Sequence, residues 1–150
     1  MWYETLDGRD REAIFTDTSG TERRRSVAPG RLRDPVRRRQ RERAATLPPV
    51  FETLVGETPD LCCQAIYDRT VPSMIADRAC LLGDAAFVAR PHTAAGTAKS
   101  AGDATALADA LASHESVDDA LAAWNRRRTE YGTALVDRGR EMGDERLNLR

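Results

Sequence analysis

At 150 residues, with 41% hydrophobic and 31% charged side chains, the chain is long enough to close a core and has ordinary soluble composition. Its formal net charge of -1 gives no overall bias toward nucleic acid or an anionic membrane. No apolar run approaches the length that spans a bilayer and no leader pattern opens the sequence, while three cysteines without metal spacing are expected to be reduced, which makes a cytoplasmic setting the default expectation. In chain order, residues 2–6 read as a strand that begins without a cap or turn. Residues 12–16 and 24–28 read as further strands, parted by the turn-forming Asp17-Thr18-Ser19-Gly20. Pro29-Gly30 is a break. Asp34, with Pro35 in the first turn, is placed to cap a charged helix that runs to about Ala45 and stops at Pro48-Pro49. A short helix from Pro49 to about Val55 carries Val50, Phe51, Leu54 and Val55 on one side. Residues 61–67 read as a strand, and 79–83 as a continuously apolar strand expected to be buried on both faces. A helix over 97–113 would bury Ala101, Ala104, Leu107, Ala108 and Leu111. Ser116 then caps a long final helix, with Asp119 three residues on. Its apolar seam is Leu121, Trp124, Tyr131, Leu135 and Met142, and each of Gly132, Gly139 and Gly143 weakens it by about 1 kcal/mol where exposed.

The most informative stretch is Ala79-Cys80-Leu81-Leu82-Gly83-Asp84-Ala85-Ala86, followed by Pro91-His92-Thr93-Ala94-Ala95-Gly96-Thr97. A strand ends in Gly-Asp, a Pro and Gly loop follows, and an Ala-rich helix begins. That order offers one ligand a carboxylate and then a row of free backbone N–H groups. A carboxylate suits a ribose diol and a helix N-terminus suits an anion, so the pair points to a dinucleotide.

The segment GDAAFVARPHTAAGTAKSAGDATALADAL resembles the second FAD-binding motif of the aromatic hydroxylases, the single-component FAD-dependent monooxygenases. Among them it is most similar to the 2,6-dihydroxypyridine 3-monooxygenase type, whose loop carries the same Arg-Pro-His and Ala-Ala-Gly run. The resemblance covers about residues 60–149. A weaker one covers Met1-Trp2-Tyr3, which is similar to a strand of the family's substrate domain. The family opens with a Rossmann strand, a G-x-G-x-x-G turn and a later acidic residue, and no G-x-G occurs in this chain. The family's middle Asp-Gly motif is also missing, since Asp7-Gly8 stands in another context. The chain is therefore expected to be the C-terminal part of such an enzyme, either as a fragment or with a missing N-terminal half elsewhere.

The resemblance implies a cofactor site made of Gly83, Asp84, Pro91, Ala95, Gly96, Thr97 and Ala98. Asp84 would accept a hydrogen bond from the ribityl or ribose hydroxyls of FAD. Pro91 through Thr97 would wrap the flavin, with Pro91 shaping the loop without an orphan N–H and Gly96 permitting close approach. The N–H groups of Gly96, Thr97 and Ala98 would face the flavin edge that turns anionic on reduction. Thr97-Ala98 stand where the family often has Asn, which leaves backbone contacts but not side-chain ones.

Other residues carry plainer readings. Lys99, the only lysine, is expected to be solvated, with a phosphate contact as the alternative. His92 is expected to pack beside the flavin or lie exposed rather than act as a base, so no catalytic residue is assigned. Arg90 could hold a phosphate, a substrate carbonyl or solvent. Asp103 is expected to hydrogen-bond the motif loop. Residues 23–43 hold ten arginines, read as a solvated helix face rather than a nucleic-acid stripe, because interleaved aromatics are missing. Trp2 and Tyr3 could line a substrate pocket or pack in a core, whereas Trp124 and Tyr131 are expected in the core. Cys62, Cys63 and Cys80 lack metal-ligand spacing and are expected to be reduced, mostly buried and structural, and no metal site is expected.

The expected fold is α/β: the C-terminal portion of a Rossmann-like FAD-binding domain, a remnant of an antiparallel substrate-domain sheet and a long C-terminal helix. Residues 1–72 would form the substrate-domain remnant and 73–150 the FAD-binding part. The implied function is hydroxylation of an electron-rich aromatic or N-heterocyclic ring with FAD, NAD(P)H as transient reductant and O2. The alternatives are a non-catalytic truncated remnant or interaction module without bound flavin and, less favoured, an Arg-mediated nucleic-acid binder; the expected partners are a small aromatic substrate and O2, with a missing N-terminal half or a homodimer.

Overall fold

A computed structural model describes residues 2–77 and 79–146. Met1, at the edge of the first expected strand, and the tail from 147, reached by the family resemblance, lie outside the described residues. The chain divides into two compact units, Met1–Ala65 and Ile66–Arg150.

In the first unit, Asp7 caps helix α1 (Gly8–Phe15) by accepting the Asp10 N–H at 2.8 Å. The strand expected over 12–16 is thus the end of a helix. Its β-branched and aromatic residues are there because Ile14 and Phe15 are buried in the unit's core with Val27, Leu32 and Val36. The strand expected over 2–6 is also absent. That segment is held by side chains instead: Glu4 accepts from Arg39, Gln40 and Arg43 of helix α2 (Asp34–Ala44). The Asp17–Gly20 turn forms as expected, with Gly20 at φ 79° and its N–H on the Asp17 carbonyl at 2.9 Å. The expected strands 24–28 and 61–67 shrink to β1 (Ser26–Val27) and β2 (Cys63–Gln64), an antiparallel pair with Val27 opposite Cys63. Arg33 rather than Asp34 occupies the N-cap of α2, so Asp34 and Pro35 both lie inside the first turn. Helix α3 (Pro49–Glu57) forms, but Val50, Phe51 and Leu54 stay exposed. A surface hollow on α2 is lined by Asp34, Arg37, Arg38 and Arg41, all from one helix and all charged.

In the second unit, the expected buried strand 79–83 is reduced to β4 (Ala79–Cys80), paired antiparallel with β3 (Ile75–Ala76). Among the described residues its ladder partner is that two-residue strand alone, and Ala79 and Leu81 are exposed rather than covered on both faces. Two helices dominate the unit, α4 (Gly96–Ser113) and α5 (Val117–Glu141), and α5 runs into a π-turn over Met142–Arg146. Ser116 caps α5 by accepting the Asp119 N–H at 3.0 Å, as expected. The core holds Met74, Ala86, Phe87, Trp124 and Val136, with Ala106, Leu107 and Ala110 of α4 against it. The buried face of α4 is therefore turned from the expected one. Ala101, Ala104, Ala108 and Leu111 face solvent, while Lys99 and Asp103 are buried because polar partners anchor them. On α5, Trp124 is buried as expected, but Tyr131 is 43% exposed under the Arg128 guanidinium, 4.2 Å from its ring centre. The three cysteines are free thiols, with Cys62 exposed rather than buried, and burial pushes the Cys63 thiol pKa up. Among the described residues, no helix is long and apolar enough to cross a membrane.

Candidate functional site

The site grows from the turn that follows β4. Gly83 has φ +58° and opens a single 3-10 turn, Gly83–Ala85. Only glycine adopts this conformation without strain, and a Cβ here would also overlap the Ser100 hydroxyl of α4. The Gly83 N–H donates to Asp103 Oδ2 at 2.9 Å. The bond expected between Asp103 and the motif loop is thus present. Asp103 Oδ1 accepts from Arg128 Nε at 2.7 Å, and the Asp103 carbonyl accepts from Trp124 Nε1 at 3.0 Å. Strand end, α4 and α5 are therefore pinned at one buried carboxylate.

This pinning leaves Asp84 outward, with 74% of its side chain exposed. Its Oδ1 accepts from Lys99 Nζ at 3.0 Å, and the same ammonium donates to the Phe87 carbonyl. Lys99 is buried, so the solvated expectation for it fails: two oxygen partners hold the ammonium inside the fold.

Between these residues runs the loop to α4. Arg90 precedes a second 3-10 turn, Pro91–Thr93, and Ala94 then takes a left-handed conformation at φ 53°. Ala95 is the N-cap of α4 and offers no side-chain cap. The first backbone bond into α4 is that of Lys99 N–H to the Ala95 carbonyl at 2.8 Å. The N–H groups of Gly96, Thr97 and Ala98 stand ahead of that bond, at the positive end of the helix dipole. All three residues are exposed, and a Cβ built on Gly96 would meet nothing within 4 Å.

The loop is clamped from behind by the end of α5. Arg90 Nη2 lies 3.2 Å from Asp68 Oδ2 and Nη1 lies 2.9 Å from Asp144 Oδ1, while Arg140 Nε reaches the same Asp68 oxygen at 3.1 Å. Burial works against the Arg90 charge, but the two carboxylates more than offset it and raise its pKa. Arg90 is thus a structural cation rather than a solvent-facing one. His92 donates from Nε2 to the Gly139 carbonyl at 2.8 Å, which ties the motif loop to α5. The glycines of α5 and of the π-turn after it, expected to weaken the helix, are docking notches. A Cβ at Gly132 would overlap the Phe87 ring, one at Gly139 would crowd Thr93 at 3.1 Å, and one at Gly143 would overlap Arg90. Their spacing on one helix face was the available signal. For Lys99 the signal was a lone lysine in a chain whose other long basic side chains are all arginine.

A family model for an FAD binding domain matches residues 31–139. The chain belongs to that FAD-binding-domain family. It is 30% identical over 143 residues to the 2,6-dihydroxypyridine 3-monooxygenase of Paenarthrobacter nicotinovorans, covering 95% of this chain and 36% of that protein. The solved 2,6-dihydroxypyridine-3-hydroxylase of Arthrobacter nicotinovorans superposes with a TM-score of 0.88 at 29% identity, again over 95% of this chain and 36% of that one. Klebsiella pneumoniae HpxO, solved with FAD and uric acid, shares the fold with a TM-score of 0.62 at 21% identity, over 72% of this chain and 30% of that one. The chain thus spans about a third of the length of the relatives it matches. The resemblance and the fold class stand as expected from the motif: a helix-rich α/β chain of the FAD-binding-domain family, with small antiparallel sheets and a long C-terminal helix, similar to part of a 2,6-dihydroxypyridine 3-monooxygenase. The residues present fit a bound flavin nucleotide: Asp84 keeps an exposed carboxylate, the first turn of α4 has no side-chain cap, and a Cβ built on Gly96 meets nothing within 4 Å.

Proposed function

We propose that this chain forms the FAD-holding portion of a cytoplasmic flavin-dependent monooxygenase that hydroxylates an electron-rich aromatic or N-heterocyclic ring, with NAD(P)H and O2 as co-reactants. Residues 1–72 would belong to the substrate-domain part and 73–150 to the FAD-binding part. The observation that carries this reading is the exposed Asp84 carboxylate, pinned by a lysine that itself sits in the uncapped first turn of α4. Asp84 accepts a hydrogen bond from a sugar or ribityl hydroxyl. Gly83 lets the backbone turn so that this carboxylate faces outward. The N–H groups of Gly96, Thr97 and Ala98 meet the negative edge of the ring system, where a helix N-terminus favours the anionic form. Pro91, with no N–H, and Ala95, with no polar side chain, bound the loop without competing donors. FAD, when bound, supplies the redox and oxygen-transfer chemistry, and the chain supplies position and electrostatics.

The test is direct. The purified chain should take up FAD and turn yellow, releasing flavin on heating. Asp84→Ala should weaken uptake about tenfold or more, as loss of a hydrogen bond to a charged group does. Unchanged affinity would remove Asp84 from the site. A colourless protein that takes up no FAD would favour the non-catalytic reading.

A further inference from the structure

Asp84 poses an electrostatic problem for any phosphate-bearing ligand. A helix N-terminus is equivalent to roughly half a positive charge. A bare carboxylate next to it carries a whole negative one, so the net field at the mouth of the site would repel an anion. Lys99 changes that sum. Its side chain is 1% exposed, its ammonium lies 3.0 Å from Asp84 Oδ1, and the Phe87 carbonyl accepts a second of its protons. The cation backs the carboxylate from inside the fold, while 74% of the Asp84 side chain remains open. The pair is neutral as a unit, and the positive helix end is left to act alone.

Resting on the flavin reading above, we propose that Lys99 is a specificity-determining counter-ion. It fixes Asp84 as a hydroxyl acceptor and cancels the charge that would otherwise repel the phosphates of the same ligand, so the site favours phosphorylated flavins over riboflavin. A lysine suits this place better than an arginine, because a compact ammonium on a flexible stem can reach a carboxylate and a backbone carbonyl from within one helical turn.

Riboflavin and FMN differ by one phosphate, which isolates the effect. Dissociation constants for riboflavin, FMN and FAD would be measured on the full chain by flavin fluorescence, at low and high salt. Lys99→Met should lose about tenfold more affinity for FMN and FAD than for riboflavin, and the difference should shrink as salt rises. Adding Asp84→Asn to Lys99→Met should return the ratio between ligands to the wild-type value. An equal loss for all three flavins would overturn the inference and leave the flavin reading standing, since Lys99 would then be a structural pin only. Should Lys99→Met not fold by circular dichroism, Asp84→Asn alone decides: it leaves the ammonium uncompensated and should shift the ratio toward FMN, and an unmoved ratio refutes the proposal. A wild-type chain that takes up none of the three removes the flavin reading and this inference together.

Discussion

Asp103 has both carboxylate oxygens engaged, one by the Gly83 N–H and one by Arg128, with side-chain exposures of 2% for Asp103 and 10% for Arg128. Truncating one partner of such a pair strands the other charge away from water, a loss of about 3–5 kcal/mol. Asp103→Ala should therefore lower the urea midpoint by an amount worth that much, with little change in slope. A smaller loss would mean that Arg128 finds water. In the first unit, Asp17 is nearly as buried and accepts from the Ser19 hydroxyl, from Arg23 and from two backbone N–H groups. The Ser19 bond is the largest influence, burial opposes it, and Arg23 adds to it, so the Asp17 pKa falls well below the ordinary carboxylate value. A depressed folded-state pKa contributes stability above the unfolded value of about 3.9, and that contribution is lost as pH falls through and below it. Wild-type stability should thus drop on acidification below about pH 4, and Asp17→Asn should flatten that drop when melting is followed against pH.

At the level of elements, α5 is organised by what it lacks. Gly132 leaves the gap that the buried Phe87 ring fills. Replacing a helical glycine by alanine favours the helix by about 1 kcal/mol, whereas forcing a methyl into a filled core costs about 1–3 kcal/mol. Gly132→Ala should therefore destabilise the protein in denaturant titration, against its helical propensity. A gain in stability would show that Phe87 can move aside. Sequence pattern located α2 through α5 to within a few residues, because caps, prolines and helical periodicity are local signals. It failed at α1, where Ile14 and Phe15 suggested a strand, although Asp7 three residues before Asp10 was a legible cap. It also misplaced the buried face of α4, since apolar periodicity cannot foresee that Lys99 and Asp103 turn inward to meet partners far along the chain.

For the whole molecule, the family was legible because its signature is one contiguous loop, Gly83 to Gly96, read without any tertiary information. The sheets were not: an apolar run such as Ala79–Leu82 tells that a strand wants neighbours, while among the described residues the ladder joins just Ala79 and Cys80 to Ala76 and Ile75. The clamp on the motif loop was equally hidden, because Asp68, Arg90, Arg140 and Asp144 are brought together only when α5 folds back over the loop. Lys99 has a further practical consequence, for it is the sole lysine of the chain and is sealed within its unit. A lysine-specific endoprotease finds a single cleavable bond, and that bond lies in the first turn of α4. Scission must wait for that turn to unravel, so the digestion rate becomes a clock for local opening. It should run slowly in the native chain and slower still with FMN added, whereas cutting as fast as in urea would show the turn already frayed.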